Sequence, residues 1–495
     1  MLDGKRACVI GAGFGGLALA IRLQAAGIAT TLVEARDKPG GRAYYWLRDG
    51  FTFDAGPTMV LHPEAFRALW ELTGHDMAAD VELLPVAPSL RFNWPDGAQF
   101  DLWSDETAMR RELARFDPAD IAGYDALIAH FAAMERNAGP FMEGPERRLS
   151  SVLAAVPALA KRRGWQSIGQ TAARFLRNPK LREALTFSTL LRGGNPLTAN
   201  ALCASLQLPE AHGGMWWPRG GTNRLVAAML RHFERLGGDA RMHDPVVAVA
   251  LEGTRATGVE TRSGWRGRFD AVASNADIVH TYRDLLRSDP RGAQLGRRLS
   301  AKRHGHSLFV VHCGIEGGWP GIPHHMVLFG SRYEGFLQDV FDHGVLPAEF
   351  PIYLHHPTVT DPSLAPEGKS TFQAVVPVAN LGRLPVDWEQ LGPFLEQRVL
   401  AEVERRLIPD IGDRMVTCFH YTPRDYTLDL NAHLGSAFGF DPTWSQCGAF
   451  RPRMRDEVIG NLFRVGATIR PGGGLPDVLA GAGAVAEMML EDLSR

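Results

Sequence analysis

Cys8-Val9-Ile10-Gly11-Ala12-Gly13-Phe14-Gly15-Gly16 carries the chain from a β-rich run into a glycine-rich turn, and Glu34 and Gly40-Gly41-Arg42 follow within the first forty-two residues. Gly11 permits a tight strand-to-helix turn, Gly13 lets the backbone approach a pyrophosphate, and Gly16 lets a helix lie against the strand. Phosphates would then sit on a helix N-terminus, where free N–H groups and the dipole favour anions without a lysine. Ala12, Phe14 and Gly15 complete that turn. Leu17, Ile21 and Leu23 give the helix an amphipathic pattern, Gly27 stops it, and Thr31-Leu32-Val33 reads as a second strand ending in Glu34. A carboxylate there accepts hydrogen bonds from ribose hydroxyls and repels a 2′-phosphate. Glycines alone also fit a turn that binds nothing. With the strand, helix and acid around them they predict an α/β, Rossmann-like dinucleotide domain.

Gly40-Gly41-Arg42 comes six to eight residues after Glu34. That spacing resembles the glutathione-reductase-like and amine-oxidase-like flavoproteins, in which the arginine approaches the cofactor phosphates. The resemblance implies FAD rather than NAD; an exposed loop with a solvated arginine is the alternative. Gly481-Ala482-Gly483 with Ala486 fits a looser GxGxxA pattern, but no strand precedes it and only nine residues follow. No second dinucleotide site is expected, so electrons should pass to a quinone, oxygen or another protein.

With 495 residues, 45% of them apolar, the chain can bury a sizeable core and hold two or more domains. A net charge of −2 lacks the marked positive excess that nucleic-acid binding needs. Five cysteines, Cys8, Cys203, Cys313, Cys418 and Cys447, show no CxxC spacing and are odd in number, which predicts reduced thiols in a cytosolic compartment. The first strand begins within a few residues of Met1, so neither a signal nor a transit peptide is expected. No apolar run approaches the roughly eighteen residues that cross a bilayer. Residues 152–160 are among the longest such runs and contain Pro157.

Pieces of the dinucleotide domain recur along the chain. Pro218-Arg219-Gly220-Gly221-Thr222 gives a turn and an N-cap, after which Leu225, Met229, Phe233 and Leu236 form one helical face that stops at Gly237-Gly238. Residues 246–251, 258–261 and 271–274 then alternate with turns as in a β-meander. Near the end, residues 461–465 read as a strand, followed by Gly466-Ala467, the loop Gly472-Gly473-Gly474, and Pro476 at a helix start. Either this last helix aims its N-terminus at a flavin ring, where the dipole would stabilise negative charge, or it simply packs. The reading is a discontinuous cofactor domain over residues 1–75, 215–285 and 450–495.

Two insertions, roughly residues 76–214 and 286–449, are left for the substrate. Residues 76–110 with 286–449 are expected to form an α+β substrate domain, and 111–214 a helical, membrane-facing lid. Residues 147–192 carry ten Lys or Arg against one acid, Glu183, interleaved with apolar residues. Such a stretch suits an anionic membrane surface; a solvated basic face is the alternative. The second insertion holds β-like runs at 307–312, 350–354 and 371–378. Histidines pair along the chain at 304 and 306, 324 and 325, and 355 and 356. None has the spacing of a zinc enzyme, and alternate residues on a strand do not converge alone, so they read as structural or substrate-lining and no metal is expected. No GxSxG elbow and no Walker lysine supports a hydrolase or NTPase.

Gly15-Gly16-Leu17-Ala18-Leu19-Ala20-Ile21-Arg22-Leu23-Gln24, Asp37-Lys38-Pro39-Gly40-Gly41-Arg42-Ala43 and Phe51-Thr52-Phe53-Asp54-Ala55-Gly56-Pro57-Thr58 closely resemble bacterial phytoene desaturases. So do Ser274-Asn275-Ala276-Asp277 and His280-Thr281-Tyr282-Arg283. The resemblance covers nearly the whole chain and is strongest at its cofactor-binding ends. It implies a glutathione-reductase-like domain holding FAD through Gly11, Ala12, Gly13, Phe14, Gly15 and Gly16, with Glu34, Gly41 and Arg42. Gly56, Pro57 and Thr58 join them, with the backbone near Val247 on the adenine and Gly466 and Leu475 towards the flavin. It further implies a C40 polyene drawn from the inner face of the cell membrane and oxidised by hydride transfer to flavin, with oxygen or a quinone as final acceptor.

Two departures stand out from that pattern. Ile469-Arg470-Pro471-Gly472 replaces the common Thr-His-Pro-Gly run, making Arg470 a candidate for tuning the flavin, and Asp477 replaces a small residue. No carboxylate identifies itself as the catalytic base. Another carotenoid desaturase, an isoprenoid or amine oxidase of the same fold, and a non-catalytic prenyl-lipid escort protein remain as alternatives.

Overall fold

The computed structural model describes residues 4–142, 163–202, 213–470 and 472–495, with residues 157 and 161. Five parallel strands form one sheet in the order Leu462–Arg464, Ala271–Ser274, Arg6–Ile10, Ala29–Val33 and Asp239–Arg241. Every residue of Arg6–Ile10 except the first is buried, and both neighbours pair along it in parallel. A continuous apolar run is what a strand covered on both faces requires. The first helix, Phe14–Ala25, packs against the helices Thr222–Arg235 and Leu475–Ser494.

The meander consists of Val246–Glu252, Arg255–Thr261 and Arg266–Arg268, and Ala271–Ser274 is not its last strand, contrary to the expectation from spacing. All four residues of Ala271–Ser274 are buried, so the segment suits the sheet interior beside Arg6–Ile10. Arg266-Gly267-Arg268 turns two arginines outward around a buried glycine and offers no apolar run to read.

Nor does Thr222 cap its helix. Gly221 is the N-cap residue and Thr222 the first helical one. The capping oxygens come from the distant Asp54, which accepts from the backbone N–H of Thr222 at 2.9 Å and of Asn223 at 3.1 Å, and from Asn223 Nδ2 at 3.0 Å. A side chain on Gly221 would collide with that carboxylate. The missing side chain is therefore what lets Asp54 reach the helix end.

A seven-stranded sheet runs in the order Met415–Tyr421, Ser307–Glu316, Lys369–Val378, Ile352–His355, His325–Leu328, Leu90–Asn93 and Gln99–Leu102. Its pairings are antiparallel except between His325–Leu328 and Leu90–Asn93. Helices Glu106–Phe116, Ile121–Met142, Ile168–Phe175 and Pro179–Thr186 follow the last of these strands in sheet order. Phe92, Trp94, Phe187 and Phe329 stack or meet edge-on, Phe116 lies tilted against Trp94, and together they tie helix to sheet. The expected lid, residues 111–214, and its basic stretch lie partly outside the described residues. Among the described residues no helix is long and apolar enough to cross a membrane.

Cys8, Cys313 and Cys418 are free thiols, whereas Cys447 is disulfide-bonded. This corrects the expectation of reduced cysteines throughout: spacing along the chain says nothing about which sulfurs the fold brings together. The Asp54 cap generates a test. Asp54→Ala orphans three buried donors and is expected to lower the unfolding free energy by about 2–4 kcal/mol, read as a lower denaturant midpoint at unchanged slope.

Candidate functional site

A cavity of about 510 Å³ lies at the carboxyl ends of the parallel strands. Ile10 and Val33, the last residues of their strands, line it from one sheet; Val310, Tyr353, Gln373 and Val375 line it from the other. The crevice beyond the strand ends is where open α/β sheets bind ligands.

Gly11, Gly13, Phe14 and Gly15 are on the cavity wall. Gly11 turns the chain at φ +96°, a conformation that side chains disfavour. A Cβ on Gly16 would strike the Gly11 carbonyl oxygen, and one on Gly13 or Gly15 would lie 2.9 or 2.8 Å from the Asn275 amide. The helix begins at Phe14 with no side chain capping it, which leaves its first N–H groups to a ligand. Ala12 and Gly16 stand behind the wall. The Ala12 N–H donates to Glu34 Oε2 at 2.6 Å and fixes that carboxylate at the end of its strand.

Glu34 lines the cavity and takes a second backbone hydrogen bond from Arg36 at 2.9 Å. Burial pushes its carboxyl above the ordinary range, and these hydrogen bonds oppose the shift. Ribose hydroxyls would add donors to the remaining lone pairs. Arg42 is also on the wall, and its Nε is buried without a hydrogen-bond partner. Burial lowers its pKa, with Asp277 acting against that shift. An anion beside it would satisfy both the charge and the orphaned donor. An uncapped helix start, an accepting carboxylate and an unpaired guanidinium nitrogen on one wall fit FAD.

Gly41, Gly56, Pro57, Thr58, Val247, Gly466 and Leu475 line the same cavity, so segments far apart in sequence meet there. Leu475 opens the C-terminal helix, whose N-cap, Gly474, makes no side-chain cap. Asp477 stands in the first turn and pairs with Arg192, itself on the wall. Arg451 donates to the Ala467 carbonyl at 2.9 Å; burial pushes its pKa down to about 10, with Asp477 opposing. The acid that departs from the family pattern is thus matched by cations from elsewhere in the chain. Arg470 is buried but does not line the cavity. Arg192 is the arginine that reaches it beside this helix.

Arg192, Tyr353 and Gln373 on the wall carry no local motif, and Asn275 lies in the stretch Ser274-Asn275-Ala276-Asp277 that carries the resemblance; sequence reasoning assigned none of the four to the site. The histidines also gather more closely than their spacing predicts. Strand pairing sets His325 opposite His355, and ring nitrogens of His324, His325 and His355 fall within 4.8 Å of one another. Two strands bring together what one strand cannot.

The chain matches the flavin containing amine oxidoreductases over residues 14–490. It is 46% identical over 492 residues to a phytoene desaturase (lycopene-forming) of Paracoccus sp., covering 99% of this chain and 98% of that protein. It is 42% identical over 496 residues to the enzyme of the same name from Pseudescherichia vulneris, covering 99% and 100%. Cyclohexylamine oxidase from Brevibacterium oxydans shares the fold, with a TM-score of 0.63 at 17% identity over 99% of this chain and 100% of that one. Alignment from end to end, across every stretch that feeds the parallel sheet and the cavity, makes this chain a member of the flavin containing amine oxidoreductases and, within them, of the phytoene desaturases.

Proposed function

We propose that this enzyme desaturates phytoene, a C40 carotenoid precursor, to more conjugated products such as lycopene, as an FAD-dependent step of carotenoid biosynthesis. One observation carries the reading: a single cavity has two unlike walls. The dinucleotide wall presents helix N–H groups, Glu34 and Arg42, whereas Met59, Leu191, Leu308, Val310, Val375 and Phe438 supply apolar surface elsewhere around it. A hydrocarbon offers nothing to bind by charge, so apolar surface must hold it. The hydride acceptor is supplied by FAD bound in the cradle. The first helix and Arg42 hold the pyrophosphate, Glu34 holds the ribose, and the uncapped start of the C-terminal helix favours negative charge beside the cavity.

Access from a bilayer completes the proposal. Of the ten cations of residues 147–192, Arg192 is taken by Asp477 and Lys180 by Asp96; the other eight and the 59% exposed Trp165 suit an anionic surface on the cytoplasmic face of the cell membrane. Electrons then pass to a quinone or oxygen.

Phytoene in liposomes, added anaerobically to the FAD-loaded protein, is expected to bleach the visible flavin band and give new polyene absorption; flavin binding without bleaching would point to another substrate. Glu34→Ala is expected to bind FAD about 10–100-fold more weakly, since hydrogen bonds to charged groups contribute about 1.5–3 kcal/mol. Unchanged affinity in equilibrium dialysis would remove the ribose role. Cosedimentation with phosphatidylglycerol vesicles should weaken as salt rises, and equal binding to purely zwitterionic vesicles would remove the basic stretch from membrane docking.

A further inference from the structure

Two hydroxyls interrupt the apolar surface of the cavity. Thr58 and Tyr353 both line it, both are buried, and Thr58 Oγ1 lies 2.6 Å from the Tyr353 hydroxyl. Behind the wall, that hydroxyl lies 2.8 Å from Nδ1 of the buried His325. With the tyrosine donating, Nδ1 is the acceptor and Nε2 carries the histidine's proton. Nε2 has no hydrogen-bond partner although it is buried, an arrangement that costs stability and asks for an explanation.

The ladder then continues outward. The rings of His325 and His355 stack at 5.3 Å, His355 Nε2 lies 3.1 Å from His324 Nε2, and His324 Nδ1 lies 2.7 Å from Thr360 Oγ1. Thr360 is only half-buried and its neighbour Val359 is exposed. A line of ionisable and hydroxyl groups therefore runs from the cavity through the sheet to the surface.

Resting on the desaturase reading, we propose that Tyr353 is the catalytic residue that takes the proton lost by the substrate, and that His325, His355 and His324 carry it outward. One substrate carbon loses hydrogen as hydride, with its electron pair, to FAD. The neighbouring carbon loses a proton to the Tyr353 oxygen while the tyrosine's own proton moves to His325 Nδ1, and the C–H pair left behind becomes the new double bond. His325 then releases its Nε2 proton towards His355 and His324 and is left as the Nδ1–H tautomer, which must return to Nε2–H before the next turnover. Thr58 orients the hydroxyl. Burial holds His325, His324 and His355 well below the ordinary histidine pKa and Tyr353 above the ordinary phenol, so every member rests neutral and none retains the proton. A carbon that has just lost hydride is acidic enough for such a weak, neutral acceptor.

Tyr353→Phe and His325→Gln test the assignment in the FAD-loaded protein with phytoene in liposomes. Both should keep their FAD and their KM within about twofold, while the anaerobic rate of flavin reduction falls about 10²-fold or more. The unaltered enzyme should reduce more slowly in D2O, and that isotope effect should vanish in both variants. The double variant should lose no more than either single one, because the two groups act as a unit. Slowed variants that keep the isotope effect would assign the pair a structural role and overturn the proposal, as would variants of full rate. Stoichiometric metal held by the histidines would also overturn it, since their nitrogens would be occupied. Bleaching of the unaltered protein with unaffected variants overturns the relay alone; no bleaching of the unaltered protein overturns the desaturase reading and the relay with it.

Discussion

Gly16 lies so close to the carbonyl of Gly11 that no Cβ fits between them, and the cofactor end of the molecule depends on that contact. It seats the first helix on the central strand and directs the helix start at the crevice. Glu34 is then positioned from the same turn, through the N–H of Ala12, rather than by its own strand alone. Asn275 fills the space left by Gly13 and Gly15, so the absent side chains are an opening used by another residue. A methyl group at any of these positions would act on several partners together.

What could be read from the sequence was what is local. The turn from Gly11 to Gly16, the acid at the second strand's end and Gly40-Gly41-Arg42 each announce themselves by spacing, because backbone geometry and helix dipoles impose short-range rules. The long-range parts were silent. Asp54 caps a helix far along the chain, Ala271–Ser274 enters the parallel sheet although it follows a meander, and Asp477 makes sense only beside Arg192. Neither Tyr353 nor His325 belongs to a motif; the pairing of their strands brings them together. Even the histidine pairs, conspicuous in the sequence, gave no hint of convergence, since strand register is a tertiary property.

The cavity lies where two large hydrophobic cores meet, one around the parallel sheet and one around the seven-stranded sheet. Charges kept in such a place need partners, and they have them: Arg192 with Asp477, Glu34 with two backbone N–H groups, Arg36 with Asp429 at 3.2 Å. The Nε of Arg42 is an exception, one that a phosphate bound there would satisfy. Apolar packing on one side and paired charge on the other divide the seam into an apolar and a polar region.

The parallel sheet has its centre at residues 6–10 and an edge strand at 462–464, nearly the whole chain apart. During synthesis the first strand therefore emerges long before the segment that must join it, roughly tens of seconds at about 5–20 residues per second. From the time it is made until residues 462–464 follow, Ala271–Ser274 presents an unpaired, apolar parallel edge, the kind of surface that other chains can capture. Yield of the native protein should thus be governed by how well the nascent chain is shielded from its neighbours until its last thirty or so residues are made.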